Sequence, residues 1–160
     1  FPGMAPKAGE SLLFQARTML LIIPPIFILL GLLDIWVPRD TMMKLMGPGS
    51  GIKGPIIGFA LGSAAAGPLY GAFPVAAILM KKGASFFNIL VFIGAWSTTK
   101  IPMLLFEMKS LGVRFALSRL AIDIIGIVII AFAIKSSVPG KEVERLYSAA
   151  ALVDVRGGKK

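Results

Sequence analysis

The strongest constraint on this chain is the length of its apolar blocks, which run over about residues 16–36, 54–80, 86–106 and 115–134. A helix needs about 20 apolar residues to cross a hydrocarbon core of roughly 30 Å. In hydrocarbon, backbone N–H and C=O groups must be bonded within the protein, so helices are the default and non-helical backbone has to be shielded. The blocks lack the two-residue alternation of a membrane barrel. The expectation is an all-α integral membrane protein of four to five membrane helices, multi-pass in the cell membrane. A single transmembrane domain is expected over 1–135, with a polar C-terminal tail over 136–160. The first block exceeds a signal-peptide core and no small-residue cleavage site follows it, so it is expected to stay in the mature chain.

Charge and residue usage narrow the function classes. Charged residues are 16% of the chain, against about 25% in soluble domains. The net charge of +9 sits largely on cations that flank apolar blocks, among them Lys81-Lys82, Lys109, Arg114, Lys135 and Lys159-Lys160. Such cations act as topology signals and anionic-lipid anchors, so the bilayer rather than nucleic acid is the expected partner. The chain has no Cys and no His. Disulfides, thiolate zinc sites, iron–sulfur clusters, histidine-ligated haem and Ser-His-Asp catalysis are thereby excluded within it. No cofactor and no metal are expected. With no paired carboxylates inside the membrane blocks either, an enzyme is not expected.

The first block contains Pro24-Pro25, and Asp34, Trp36 and Arg39 mark its exit. Residues 37–53 form a polar connection in which Asp40 to Met46 fit a short interfacial amphipathic helix, and Gly47-Pro-Gly-Ser-Gly51 a hinge. The block from 54 is the most informative. Gly54, Gly58 and Gly62 recur at every fourth position, a small-residue face that lets another backbone approach closely. Gly67-Pro68 and Gly71-Ala-Phe-Pro74 then interrupt the apolar run. Two geometries fit: one span with an unwound centre, or a re-entrant hairpin turning at Gly67–Pro74. Unwound backbone at membrane depth can cradle an ion or polar solute, which makes Gly67, Pro68, Tyr70, Gly71, Phe73 and Pro74 the candidate substrate-binding residues.

Polar residues in the later blocks complete the candidate site. Asp123 lies near the middle of the last block, with Arg119 four residues earlier on the same face. That pair is either structural or a proton or substrate site. Lys100 either snorkels to the interface or faces inward, toward Asp123 or an anionic solute. Ser97, Thr98 and Thr99 can satisfy carbonyls freed by Pro102, and Asn88 fits an interhelical hydrogen bond. In the tail a helix is expected over Lys141 to Val153, its Val143, Leu146 and Ala150 riding on the membrane surface.

The run from Ala66 through GPLYGAFPVAAILMKKGAS to Phe86, then GAWSTTKIPMLLFE and RFALSRLAID, resembles the predicted-permease family that includes the organoarsenical efflux permeases (ArsP/YraQ-like). The similarity covers about 54–134. It implies a small permease or transporter subunit moving a small solute or ion by alternating access around a broken helix. Family members look like tandem duplications, whereas this chain supplies one such half. A homodimer or a separately encoded second half is therefore the implied partner. Some members carry cysteines beside the broken segment where this chain has Leu69-Tyr70, so thiolate capture of a soft metalloid is not available to it. The alternative is a structural or assembly subunit with no transport path of its own.

Overall fold

A computed structural model describes residues 37–152 apart from Ala66, together with isolated positions between 13 and 36. The expected first span, about 16–36, falls almost wholly outside the described residues, as does the chain beyond 152. The described part is helical throughout, with no strand. Helix α1 (Arg39–Met46) is followed by α2 (Lys53–Ala64), a 3₁₀ turn (Leu69–Gly71) and α3 (Ala72–Lys81). Then come α4 (Phe86–Thr98), α5 (Ile101–Ser110), α6 (Val113–Ser137) and α7 (Gly140–Ala151).

Helix α1 buries Met42 and Met46 and keeps Asp40 in its first turn and Lys44 in its last, as the helix dipole favours. The loop after it is closed by Ser50 Oγ donating to Gly47 O at 2.7 Å. From there α2 and α4 run side by side and parallel. A Cβ at Gly54 would strike the Asn88 side chain, one at Gly58 would lie 2.8 Å from Asn88 O, and one at Gly62 would lie 2.8 Å from Ala95 Cβ. The glycine face therefore packs inside the chain, backbone against backbone. Asn88 fixes the register: its Nδ2 donates to Met46 O at 2.8 Å and Ser50 Oγ at 3.2 Å.

After α2 the chain reverses. Helix α3 returns toward the α4 start, and Gly83, at φ +88°, makes the turn that leads into Ser85, the N-cap of α4. Ser85 N donates to Met46 O at 2.7 Å, so the start of α2, the end of α3 and the start of α4 lie at one end of the molecule. Thus α2 and α3 form a helical hairpin laid along α4. Its core is built from Met46, Ile78, Leu79, Ile89 and Phe92, all nearly inaccessible.

The second structural pair is α4–α5 against α6. Residues Phe86–Ser110 and Val113–Ser137 are each 25 residues long, and both are apolar enough to cross a membrane. At 1.5 Å per residue each covers about 37 Å, more than the hydrocarbon thickness. Gly112, at φ +93°, makes the turn between them. Their antiparallel register shows in three contacts: Arg119 with Thr98 O, Ile127 against Gly94, and Lys135 5.7 Å from the Phe87 ring centroid. One face of α6 is left open, with Ile122, Ile125, Ile129 and Phe132 all exposed.

Three expectations are corrected. The block expected as one helix over 86–106 is two, stopping at Thr98 and restarting at Ile101. Pro102 has no N–H to give Thr98 O, so the helical ladder fails there. The helix expected over 115–134 is longer at both ends, Val113–Ser137. The tail helix does not leave Ala150 at a surface: α7 docks on α3, Ala150 is 5% exposed, and Tyr147 Oη donates to Ala84 O at 2.6 Å.

Two predictions follow from this packing. Gly62→Ala overpacks the α2–α4 contact and should lower stability by about 1–3 kcal/mol, whereas Gly126→Ala, which meets open space, should be neutral or stabilising; thermal unfolding in detergent compares them. Burial also pushes the Tyr147 phenol above its ordinary value. Docking of α7 is then intact below the ordinary phenol value of about 10 and is lost as pH rises through the raised one. Limited proteolysis of α7 against pH reads this out, and Tyr147→Phe should abolish the pH dependence.

Candidate functional site

Two helix interruptions face each other. In the first, α2 ends at Ala64, Ala65 is extended (ψ 137°), Gly67 adopts φ +126°, and Pro68 is extended (ψ 158°). Only glycine takes the Gly67 conformation without strain, and Pro68 lacks the N–H that would continue a helix. In the second, Thr99 (ψ 38°) and Lys100 (ψ 129°) separate α4 from α5.

Backbone carbonyls freed by an interruption need donors, and unpaired ones are costly away from water. Here side chains from the second interruption serve the first. Lys100 Nζ donates to Gly67 O at 2.5 Å and Trp96 Nε1 to Pro68 O at 3.2 Å. The hydroxyls of Ser63 and Thr99, both buried, share a hydrogen bond at 2.8 Å. Phe92 meets Trp96 edge-on, with ring centroids 5.5 Å apart, and so orients the indole.

On the other side of the α4–α5 junction lies a charged cluster. The carbonyl of Thr98, which Pro102 cannot serve, accepts from Arg119 Nη2 at 2.7 Å. Arg119 Nη1 makes a short hydrogen bond to Glu107 Oε1, and Nη2 stands 3.4 Å from Asp123 Oδ2. Glu107 is 6% exposed. Ser97 and Thr98 hydroxyls donate to Gly94 O, and Thr99 Oγ1 to Ala95 O, one turn earlier than the carbonyl Pro102 frees.

Of the residues singled out from the sequence, the structure brings Gly67, Pro68 and Lys100 together. Gly71 is buried in the 3₁₀ turn and Pro74 lies in the first turn of α3. Tyr70 and Phe73 are exposed, at 42% and 56%. Lys100 faces the Gly67 carbonyl rather than Asp123. Asp123 pairs with Arg119 as its spacing suggests, in a cluster with a second carboxylate: the expectation of no paired carboxylates fails at Glu107. Ser63, Trp96, Thr99 and Glu107 belong to the two clusters and were not singled out as site residues. An acid inside the run Leu104-Leu105-Phe106-Glu107-Met108 was the available signal for the last.

Chemically, the arrangement offers backbone carbonyls, two hydroxyls and an ammonium group, a set suited to polar or anionic solutes once Lys100 leaves Gly67 O. Trp96→Phe keeps the aromatic contact and deletes the N–H. It should cost about 0.5–1.5 kcal/mol, against about 3–5 kcal/mol for Trp96→Ala, as read by thermal unfolding in detergent.

Comparison with known proteins gives one result. No curated protein and no solved structure matches the chain. Residues 9–156 match the family described as predicted permease, nearly the whole length, so the chain belongs to that family and is a membrane protein of the permease type.

Proposed function

We propose that this chain is one unit of a solute permease in which α2–α3 is a re-entrant hairpin whose tip meets the interrupted α4–α5 helix near mid-membrane. The observation that carries the reading is the joining of the two interruptions by Ser63–Thr99, Trp96–Pro68 and Lys100–Gly67. Depth supports it: α4 has 13 residues and α2 has 12, so each reaches the junction after about 18–20 Å, roughly half of the 25-residue pair. Paired interrupted helices with freed carbonyls are how transporters build midplane sites. Gly67, Pro68, Gly71 and Pro74 shape the tip, Lys100 supplies a cation, and Tyr70 and Phe73 face whatever fills the opposite side, a second copy or a second permease half. Solute moves by alternating access as the tip parts from α4–α5. Together the hairpin, α4–α5 and α6 make three membrane elements among the described residues.

Cation placement sets the orientation. Lys44, Lys53, Lys81, Lys82, Lys135 and Lys141 lie at the end where α4 begins, and Lys109 and Arg114 at the α5–α6 turn. By the positive-inside rule the first end is cytoplasmic.

The cysteine-free sequence allows a clean test. Single cysteines at Ala65, Tyr70 and Phe73 should react with a membrane-impermeant maleimide in proteoliposomes. Uniform protection would mean a dry, filled tip and would favour the alternative of a structural subunit without a path. In flux assays over a panel of small polar and anionic solutes, Lys100→Met should reduce transport about ten- to a hundredfold, the loss of a charged hydrogen bond of about 1.5–3 kcal/mol. Lys100→Arg should retain part of it.

A further inference from the structure

Around Arg119 the charges do not balance. Two carboxylates, Glu107 from α5 and Asp123 from α6, converge on one guanidinium. Their side chains are only 7% and 22% exposed, and the apolar residues around them on α6 run from Phe115 to Ile134, a full hydrocarbon thickness. From α4 the Thr98 carbonyl accepts from Arg119. Lys100 is turned to Gly67 O, and Lys109 and Arg114 are exposed at the α5–α6 turn. Glu107 Oε2 and Asp123 Oδ2 are both buried and both lack a hydrogen bond.

An uncompensated negative charge at this depth is costly, and like-charged carboxylates sharing one counter-ion do not both stay ionised in a low dielectric. Two acceptor oxygens without donors are what remains when one proton is left out. We propose that Glu107 and Asp123 hold one proton between them and form the proton-binding site of this protein. The proton comes from a hydronium ion of the aqueous phase: one of its O–H bonds breaks, one carboxyl O–H bond forms, a water molecule is left, and the cluster is neutralised. Because Arg119 is hydrogen-bonded to Glu107, the proton rests on Asp123 when the site is loaded. Release leaves a second carboxylate competing for Arg119, which also holds Thr98 O at the α4–α5 junction. Proton loading thereby acts on the junction whose other side carries Thr99 and Lys100. The role as a coupling ion rests on the permease reading; the shared proton does not.

Infrared spectroscopy of the full chain in lipid at neutral pH, with no solute added, tests the site. The wild type should show the carbonyl stretch of a protonated carboxylic acid, shifted on transfer to heavy water. Asp123→Asn and Glu107→Gln should each remove it, because the remaining acid then has Arg119 to itself. Absence of the band in the wild type overturns the proposal without needing any variant to fold. So does its persistence in both single variants. Solute flux with no such band would leave the permease reading standing and sink the proton site; the band without flux would do the reverse.

Discussion

Close approach of α2 to α4 along Gly54, Gly58 and Gly62 sets the arrangement of everything described. Three missing side chains allow the two helix backbones to touch in parallel register. Parallel neighbours cannot be consecutive through a short turn, so the intervening chain must go down and come back, which is what the tip at 65–71 and helix α3 accomplish. The same register carries Gly67 and Pro68 to Trp96 and Lys100. A side chain at Gly58 or Gly62 would displace the tip from its donors as well as part the helices.

Polar chemistry in this molecule is concentrated where the helical ladder fails. Three carbonyls near the two interruptions are met by side chains from elsewhere: Gly67 O by Lys100, Pro68 O by Trp96 and Thr98 O by Arg119. At the membrane depth proposed for them, hydrocarbon leaves no alternative donor. Side-chain donors, unlike backbone ones, can change partners without unwinding a helix. That property suits the alternating access proposed for this chain.

Much of this was legible in the sequence where the signal is local. The four-residue glycine spacing announces a close-packed face on any helix, and Gly67-Pro68 announces a break whatever surrounds it. Asn88, set among apolar residues at the start of α4, had to find a partner outside its helix and found two. Other features depend on long-range geometry. Whether the broken block runs straight on or turns back follows from which end of α4 the start of α2 packs against, and no local pattern encodes that. Pro102 marks Thr98 O as unserved, yet the donor comes from Arg119, 21 residues on, rather than from the neighbouring hydroxyls. Glu107 lies one residue past the expected span, and no local pattern shows that Arg119 of α6 will reach it.

The hairpin's two ends are held very differently. At its base it is fastened from several directions, by Ser85 to Met46, Asn88 to Met46 and Ser50, Tyr147 to Ala84 and Lys82 to Val37. At its tip, the hydrogen bonds among the described residues come from a single helix and its junction. Mechanically this is a cantilever: bending is greatest at the free end and least at the root. A deflection there swaps a handful of polar bonds while leaving the buried methionine and isoleucine packing at the root unchanged.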